Sequence, residues 1–231
     1  MFGQIAPTPY DMRFSLFGIS VRVHPLFWLI SAVLGWRGGG EFNPVTVALV
    51  WIGCVFVSIL IHELGHALVA KAFGWHPHIV LYHMGGYAAY QPGWDNTPGK
   101  SILIALAGPF AGFAFFAVVF GVAFATRVAD VNMGRFWPLI FGDLAWINIG
   151  WGVLNLLPIF PMDGGRVCNE ICKKWSPQNG DRYTFQIGML LAGAVALYFL
   201  SKNVMFAGML FGMLAFQNYQ MLQVSRHGRG W

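Results

Sequence analysis

The sequence predicts an all-α polytopic membrane protein of about six transmembrane helices, with a small membrane-associated β-hairpin between helices 2 and 3. Two observations set this class. Of 231 residues, 57% are hydrophobic and only 10% charged, against about 25% charged in soluble domains. Apolar runs also recur from Pro25 to Val224, several of them near the roughly 20 helical residues that cross a hydrocarbon core about 30 Å thick. No polar block is large enough for a separate soluble domain, so residues 1–231 read as one membrane-embedded domain. The net charge of +5 does not mark a nucleic-acid partner, because the basic residues are scattered singly between apolar runs and serve better as loop charges.

The start of the chain lacks the basic region, short apolar core and small-residue cleavage site of a signal peptide, so the first apolar run is expected to stay in the mature protein. That run, Pro25 to Trp36, is short. The second, Pro44 to Gly74, is long, and the third covers Ser101 to Thr126. A fourth is expected as one span from Phe136 to Phe160. Phe185 to Leu200 and Val204 to Val224 form the fifth and sixth, separated by "SKN". Between the second and third lies "HPHIVLYHMGGYAAYQPGWDNTPG", too broken by Gly and Pro to span. Its β-branched and aromatic residues around Met84, Gly85 and Gly86 fit a hairpin, placed at the membrane interface because such backbone must be buried or wet. Cys54, Cys168 and Cys172 make no disulfide framework.

Six spans would put both termini on one side. That side then carries ten Lys and Arg residues: Arg13, Arg22, Lys71, Lys100, Arg166, Lys173, Lys174, Arg182, Arg226 and Arg229. The other carries Arg37, Arg127, Arg135 and Lys202. The positive-inside rule makes the richer face cytoplasmic, an N-in/C-in arrangement.

Inside the second run, "SILIHELGHALVAK" sets His62, Glu63 and His66 in an otherwise apolar segment. Ionisable groups there are costly and usually face a partner or a watery cavity. Residues four apart share a helix face, so His62 and His66 can hold one metal ion. This is HExxH. Two neutral imidazoles suit Zn²⁺, which acidifies a water so that a neighbouring carboxylate, Glu63, can act as general base.

Catalytic zinc usually takes three protein ligands. The fourth run closes on "NLLPIFPMDGGRV", in which Pro158 and Pro161 interrupt the helix and Gly164 and Gly165 permit close backbone approach. Asp163 is the expected third ligand, at the same membrane face as the histidines. Glu170 is the alternative. Asn148 and Asn155 are seven apart and share a face of the fourth run; Asn155 is expected to take part in catalysis, whereas interhelical hydrogen bonding accounts for Asn148.

"HELGH" in a second span with "NLLPIFPMDGG" closing a fourth resembles the site-2 protease family of intramembrane zinc metalloproteases, over roughly Pro44 to Arg166. The resemblance implies one Zn²⁺ per chain on His62, His66 and Asp163, with Glu63 as the catalytic base. It also implies that Asn155 holds the substrate backbone or helps stabilise the oxyanion. A strand edge around Gly85 and Gly86 would pair with an unwound substrate, a form of β-augmentation. A minimal form is expected, since neither the loop from Arg127 to Arg135 nor the tail "SRHGRGW" has room for a PDZ domain or a CBS pair.

Three features are expected to be structural. Gly108 and Gly112 form a GxxxG helix contact, Asp143, toward the outer half of the fourth run, makes a structural pairing or faces a hydrated gap, and His76, His78 and His83 are interface residues. The expected activity is hydrolysis of peptide bonds within or near transmembrane segments of membrane proteins, as regulated proteolysis or clearance of signal-peptide remnants. The expected partners are single-pass membrane proteins or peptides and the lipid bilayer, with no nucleic acid; a homo-oligomer is compatible with the sequence. The competing reading is a noncatalytic scaffold that keeps the fold, against which an intact Glu63 argues.

Overall fold

The computed structural model describes residues 6–37, 42–126 and 136–227. The loop from Arg127 to Arg135 and the last residues of the tail, including Arg229, lie outside them. The chain forms two compact units, Met1–Trp94 with Ala107–Gly152, and Asp95–Leu106 with Val153–Trp231.

The first unit opens with a hairpin absent from the sequence reading. Strand β1 (Met12–Leu16) turns through Phe17 and Gly18 into β2 (Ile19–Val23). Both turn residues have positive φ, 51° and 69°, as a two-residue hairpin turn of the mirror-image type requires. Helix α1 (Pro25–Gly35) follows, its first turn capped by His24 Nδ1 accepting from the Leu26 amide. Helix α2 (Pro44–Ala72) is capped likewise by Asn43, whose side-chain oxygen accepts from the Val45 amide at 2.7 Å. Strands β3 (His78–Tyr82) and β4 (Gly85–Ala89) complete one four-stranded sheet in the order β1-β2-β3-β4. β2 and β3 pair in parallel, Val21 beside Ile79, because α1 and α2 form the crossover between them.

Period-2 alternation gives the sheet two unlike faces. Ile19, Val21, Val23, Ile79 and Leu81 are buried and pack with Val55, Leu60, Leu64 and Ala67 of α2. The other face carries Arg13, Ser20, Arg22 and His78, in register across the strands. The expected two-stranded hairpin is therefore only half of a sheet.

Helix α3 (Pro98–Thr126) begins in the second unit and continues into the first. The expected fourth span is not one helix. It is α4 (Trp137–Ala145), a π-helical segment at Trp146–Trp151 and the single turn α5 (Gly152–Asn155). Beyond Asn155 the chain leaves the helix, since Pro158 and Pro161 have no amide hydrogen to give. The following segment, expected to be loop, contains α6 (Asp163–Trp175) before α7 (Gly180–Ser201) and α8 (Met205–His227). In the second unit α7 and α8 pack around Ile159, Ala192, Ala196, Phe211 and Leu214.

Among the described residues, three helices, α2, α3 and α7, are long and apolar enough to cross a membrane. Val118, Phe120, Val122 and Phe124 on α3 are all exposed, an apolar surface that suits lipid. The protein is an integral membrane protein.

Candidate metal centre and active site

The first unit carries the HExxH turn. The helical repeat of α2 brings His62 Nε2 to 3.1 Å from His66 Nε2. Two nitrogens each 2.0–2.1 Å from one tetrahedral zinc would stand about 3.3 Å apart. The pair thus fits zinc in both chemistry and spacing. His66 and Glu63 are buried, at 4% and 6% exposure.

Two glycines press against this turn of α2. A Cβ on Gly108 would stand 2.2 Å from His66 Nε2 and 2.8 Å from His62 Nε2. Gly108 therefore does more than admit helix packing: it clears the space in front of both imidazoles. A Cβ on Gly86 would stand 2.8 Å from Glu63 Cγ and 3.0 Å from Glu63 Oε1. β4, the last strand of the sheet, thus passes directly over the carboxylate. Gly85, at φ 116°, opens that strand in a conformation that favours glycine.

Tyr82, not singled out in the sequence, belongs to the same neighbourhood. Burial raises its pKa, and the nearby Tyr87 and Glu63 raise it further, so its phenol stays protonated beside the carboxylate. A tyrosine at the end of a five-residue strand carries no sequence signal for this.

The second unit presents Asn155 and Asp163. Asp163 is buried at 6% exposure and sits in the first turn of α6, where the helix dipole favours a carboxylate. Asn155 Nδ2 donates to Asp163 Oδ2 at 3.0 Å. The glycines after Asp163 bring the helix onto its own approach loop, since a Cβ on Gly164 would lie 2.0 Å from the Leu156 carbonyl oxygen. Glu170 lies seven residues further along α6, about 10 Å up the axis.

Asn148, Asp143 and His83 have structural partners. Asn148 donates to Ser58 Oγ at 2.8 Å and to the Leu144 carbonyl at 2.9 Å, and Gly112 lies beside it. Asp143 pairs with Arg37, whose guanidinium also lies 4.8 Å from the centre of the Trp51 ring. His78 starts β3, and His83 in the following turn packs edge-on against Tyr82.

A membrane helix carrying HExxH, with a sheet edge drawn over its glutamate, defines a membrane metallopeptidase fold, and comparison with known proteins identifies which. The sequence profile of Peptidase family M50 matches residues 50–133 and 127–198. A zinc metalloprotease of Methanocaldococcus jannaschii is 34% identical over 84% of this chain and 56% of its own length. Stage IV sporulation protein FB of Bacillus subtilis is 27% identical over 87% of this chain and 67% of its own. The solved site-2 protease from Methanocaldococcus jannaschii superposes with a TM-score of 0.62 at 28% identity, covering 92% of this chain and 95% of that one. The chain belongs to Peptidase family M50, the site-2 proteases. It spans about half the length of several relatives that it matches.

Proposed function

We propose that this chain is an intramembrane zinc endopeptidase that hydrolyses peptide bonds within or near transmembrane segments of membrane proteins. The single observation that carries this reading is the closeness of Glu63 Oε1 to the Gly86 position on β4. β4 ends the sheet with one edge paired to β3. An extended substrate segment adding to its other edge would lay its backbone beside the carboxylate and the two imidazoles.

In this reading His62, His66 and Asp163 hold zinc. When bound, zinc lowers the pKa of a water and polarises a carbonyl. Glu63 would act as the general base, accepting a proton from the attacking water at its carboxylate and returning it to the leaving amide nitrogen. Asn155 touches Asp163 through its N–H, which fixes the orientation of that ligand, as outer hydrogen bonds do for metal sites generally. Gly85 and Gly86 keep the docking edge free of side chains. A helical substrate hides its carbonyls in its own hydrogen bonds, so it must unwind before it can pair, and Gly, Pro or Asn near the cut should speed cleavage.

N-in/C-in topology over about six spans, with residues 1–231 acting as one protease domain, completes the proposal. A C-terminal reporter active only outside the cytoplasm overturns the topology. The activity is tested by reconstituting wild type and Glu63→Gln with a panel of single-pass membrane proteins and following cleavage by mass spectrometry. Loss of every zinc-dependent product in Glu63→Gln, with zinc still bound, is expected. Products that persist unchanged refute the assignment.

A further inference from the structure

Asn218 of α8 is wholly buried, at 0% exposure, beside an apolar cluster that includes Ile159, Phe211 and Leu214. Its Nδ2 donates to the Phe160 carbonyl at 2.6 Å and to the Leu214 carbonyl at 2.9 Å. Its Oδ1 is buried without a hydrogen-bond partner among the described residues. An unmatched acceptor in such surroundings costs free energy, so for packing alone a leucine of similar size would serve better. What Asn218 adds is the bond to Phe160.

Phe160 lies three residues before Asp163, in the segment where Pro158 and Pro161 can donate no amide hydrogen. The local bonds that remain are short-range turns, from the Ile159 amide to the Leu157 carbonyl and from the Met162 amide to the Ile159 carbonyl. Asn218 supplies a tie from a different element, 58 residues away in the chain. Room for it comes from α7, because a Cβ on Gly188 would lie 2.4 Å from Asn218 Oδ1 and 3.4 Å from the Phe160 amide nitrogen.

We infer that Asn218 is a positioning residue for the metal centre. Its amide, seated against Gly188, clamps the Phe160 carbonyl and so fixes where the chain enters α6 and presents Asp163. This inference rests on the reading that Asp163 ligates zinc. It gives α7 and α8 a direct part in holding the metal, and it does not require Asn218 to touch the substrate.

The test uses the full chain in detergent, loaded with zinc, and follows zinc release to a chromogenic chelator in wild type, Asp163→Asn, Asn218→Leu, Asn218→Asp and Gly188→Ala. Asn218→Asp keeps the shape but removes the donor, while Gly188→Ala keeps the amide but displaces it. Melting of the zinc-free proteins, followed by circular dichroism, identifies variants that keep the wild-type fold. Zinc affinity at least tenfold weaker in folded Asn218 variants and in Gly188→Ala supports the clamp, since outer-shell partners are generally worth 10–100-fold. Wild-type affinity in any folded Asn218 variant overturns it. If Asn218→Leu does not fold, Asn218→Asp and Gly188→Ala decide the question by the same criterion. Retention of zinc by Asp163→Asn overturns the third-ligand reading, and the inference with it. Loss of zinc in Asp163→Asn alone, with both Asn218 variants like wild type, overturns the inference and leaves that reading standing.

Discussion

Gly108 on α3 faces His66 on α2 so closely that a methyl group there would stand 2.2 Å from Nε2, well inside van der Waals contact. The glycine leaves open the volume in front of the imidazole pair, where the proposed zinc and its water would sit. Gly108→Ala is expected to weaken zinc binding by at least tenfold, the scale at which disturbed outer contacts act on metal sites. Zinc per folded chain after dialysis checks it, and undiminished zinc in Gly108→Ala would count against a metal at that spot.

Glu63 and its neighbour on β4 make a second pair. Glu63→Gln should lower turnover by about 10²–10⁴-fold, the usual contribution of a positioned base, with zinc content unchanged. Gly86→Val, whose side chain would meet Glu63 and Leu81, should also lose turnover without losing zinc. A Gly86→Val enzyme with wild-type kinetics would remove β4 from the docking role.

Asn155 and Asp163 provide a test of position against direct catalysis. Asn155→Ala should lower both zinc affinity and turnover, because the hydrogen bond to Asp163 Oδ2 goes with the side chain. If turnover falls while zinc affinity, measured by chelator competition, stays at the wild-type value, then Asn155 acts on the substrate and its bond to Asp163 is incidental.

The N-terminal hairpin carries a pH-dependent anchor. Burial of the Asp11 carboxylate acts to raise its pKa, but the Thr8 hydroxyl and amide and the Arg22 guanidinium outweigh that and bring it from 3.8 to about 2. A folded-state pKa below the unfolded value stabilises the fold above about pH 4, and this contribution fades as the pH falls toward 2. Asp11→Asn should therefore melt below wild type at pH 6, and the gap should narrow as the pH drops through 4 and 3. A gap independent of pH would show that charge is not the cause.

Some of this protein was written in its sequence. The four-residue spacing of His62 and His66 determines their convergence, because α-helical geometry allows no other outcome once α2 forms. The long apolar runs fixed α2, α3, α7 and α8 closely, and Asn43-Pro44 marks where α2 starts. Pro158 and Pro161 marked the end of the fourth run, since a missing amide hydrogen acts locally whatever the surroundings.

Other features depended on which elements meet. β1 and β2 are five residues each, too short for their alternation to stand out, and β2 gains its parallel partner β3 only after α1 and α2 bring the chain back. The fourth run reads as a continuous apolar span, yet it shifts to a π-helical register at Trp146–Trp151, and hydrophobicity does not encode that register. Gly86, Gly108 and Gly188 look alike in sequence. Packing made one a shelf over Glu63, one the clearance before two histidines and one the seat of Asn218. Sequence by itself determined the chemistry and the local geometry of the HExxH turn, because those arise within one helix. Tertiary structure decided that Asn155 meets Asp163, that Tyr82, Gly86 and Gly108 close on the HExxH turn, and that Asn218 holds the Phe160 carbonyl against Gly188, because close approach is a property of two backbones and no single segment contains both.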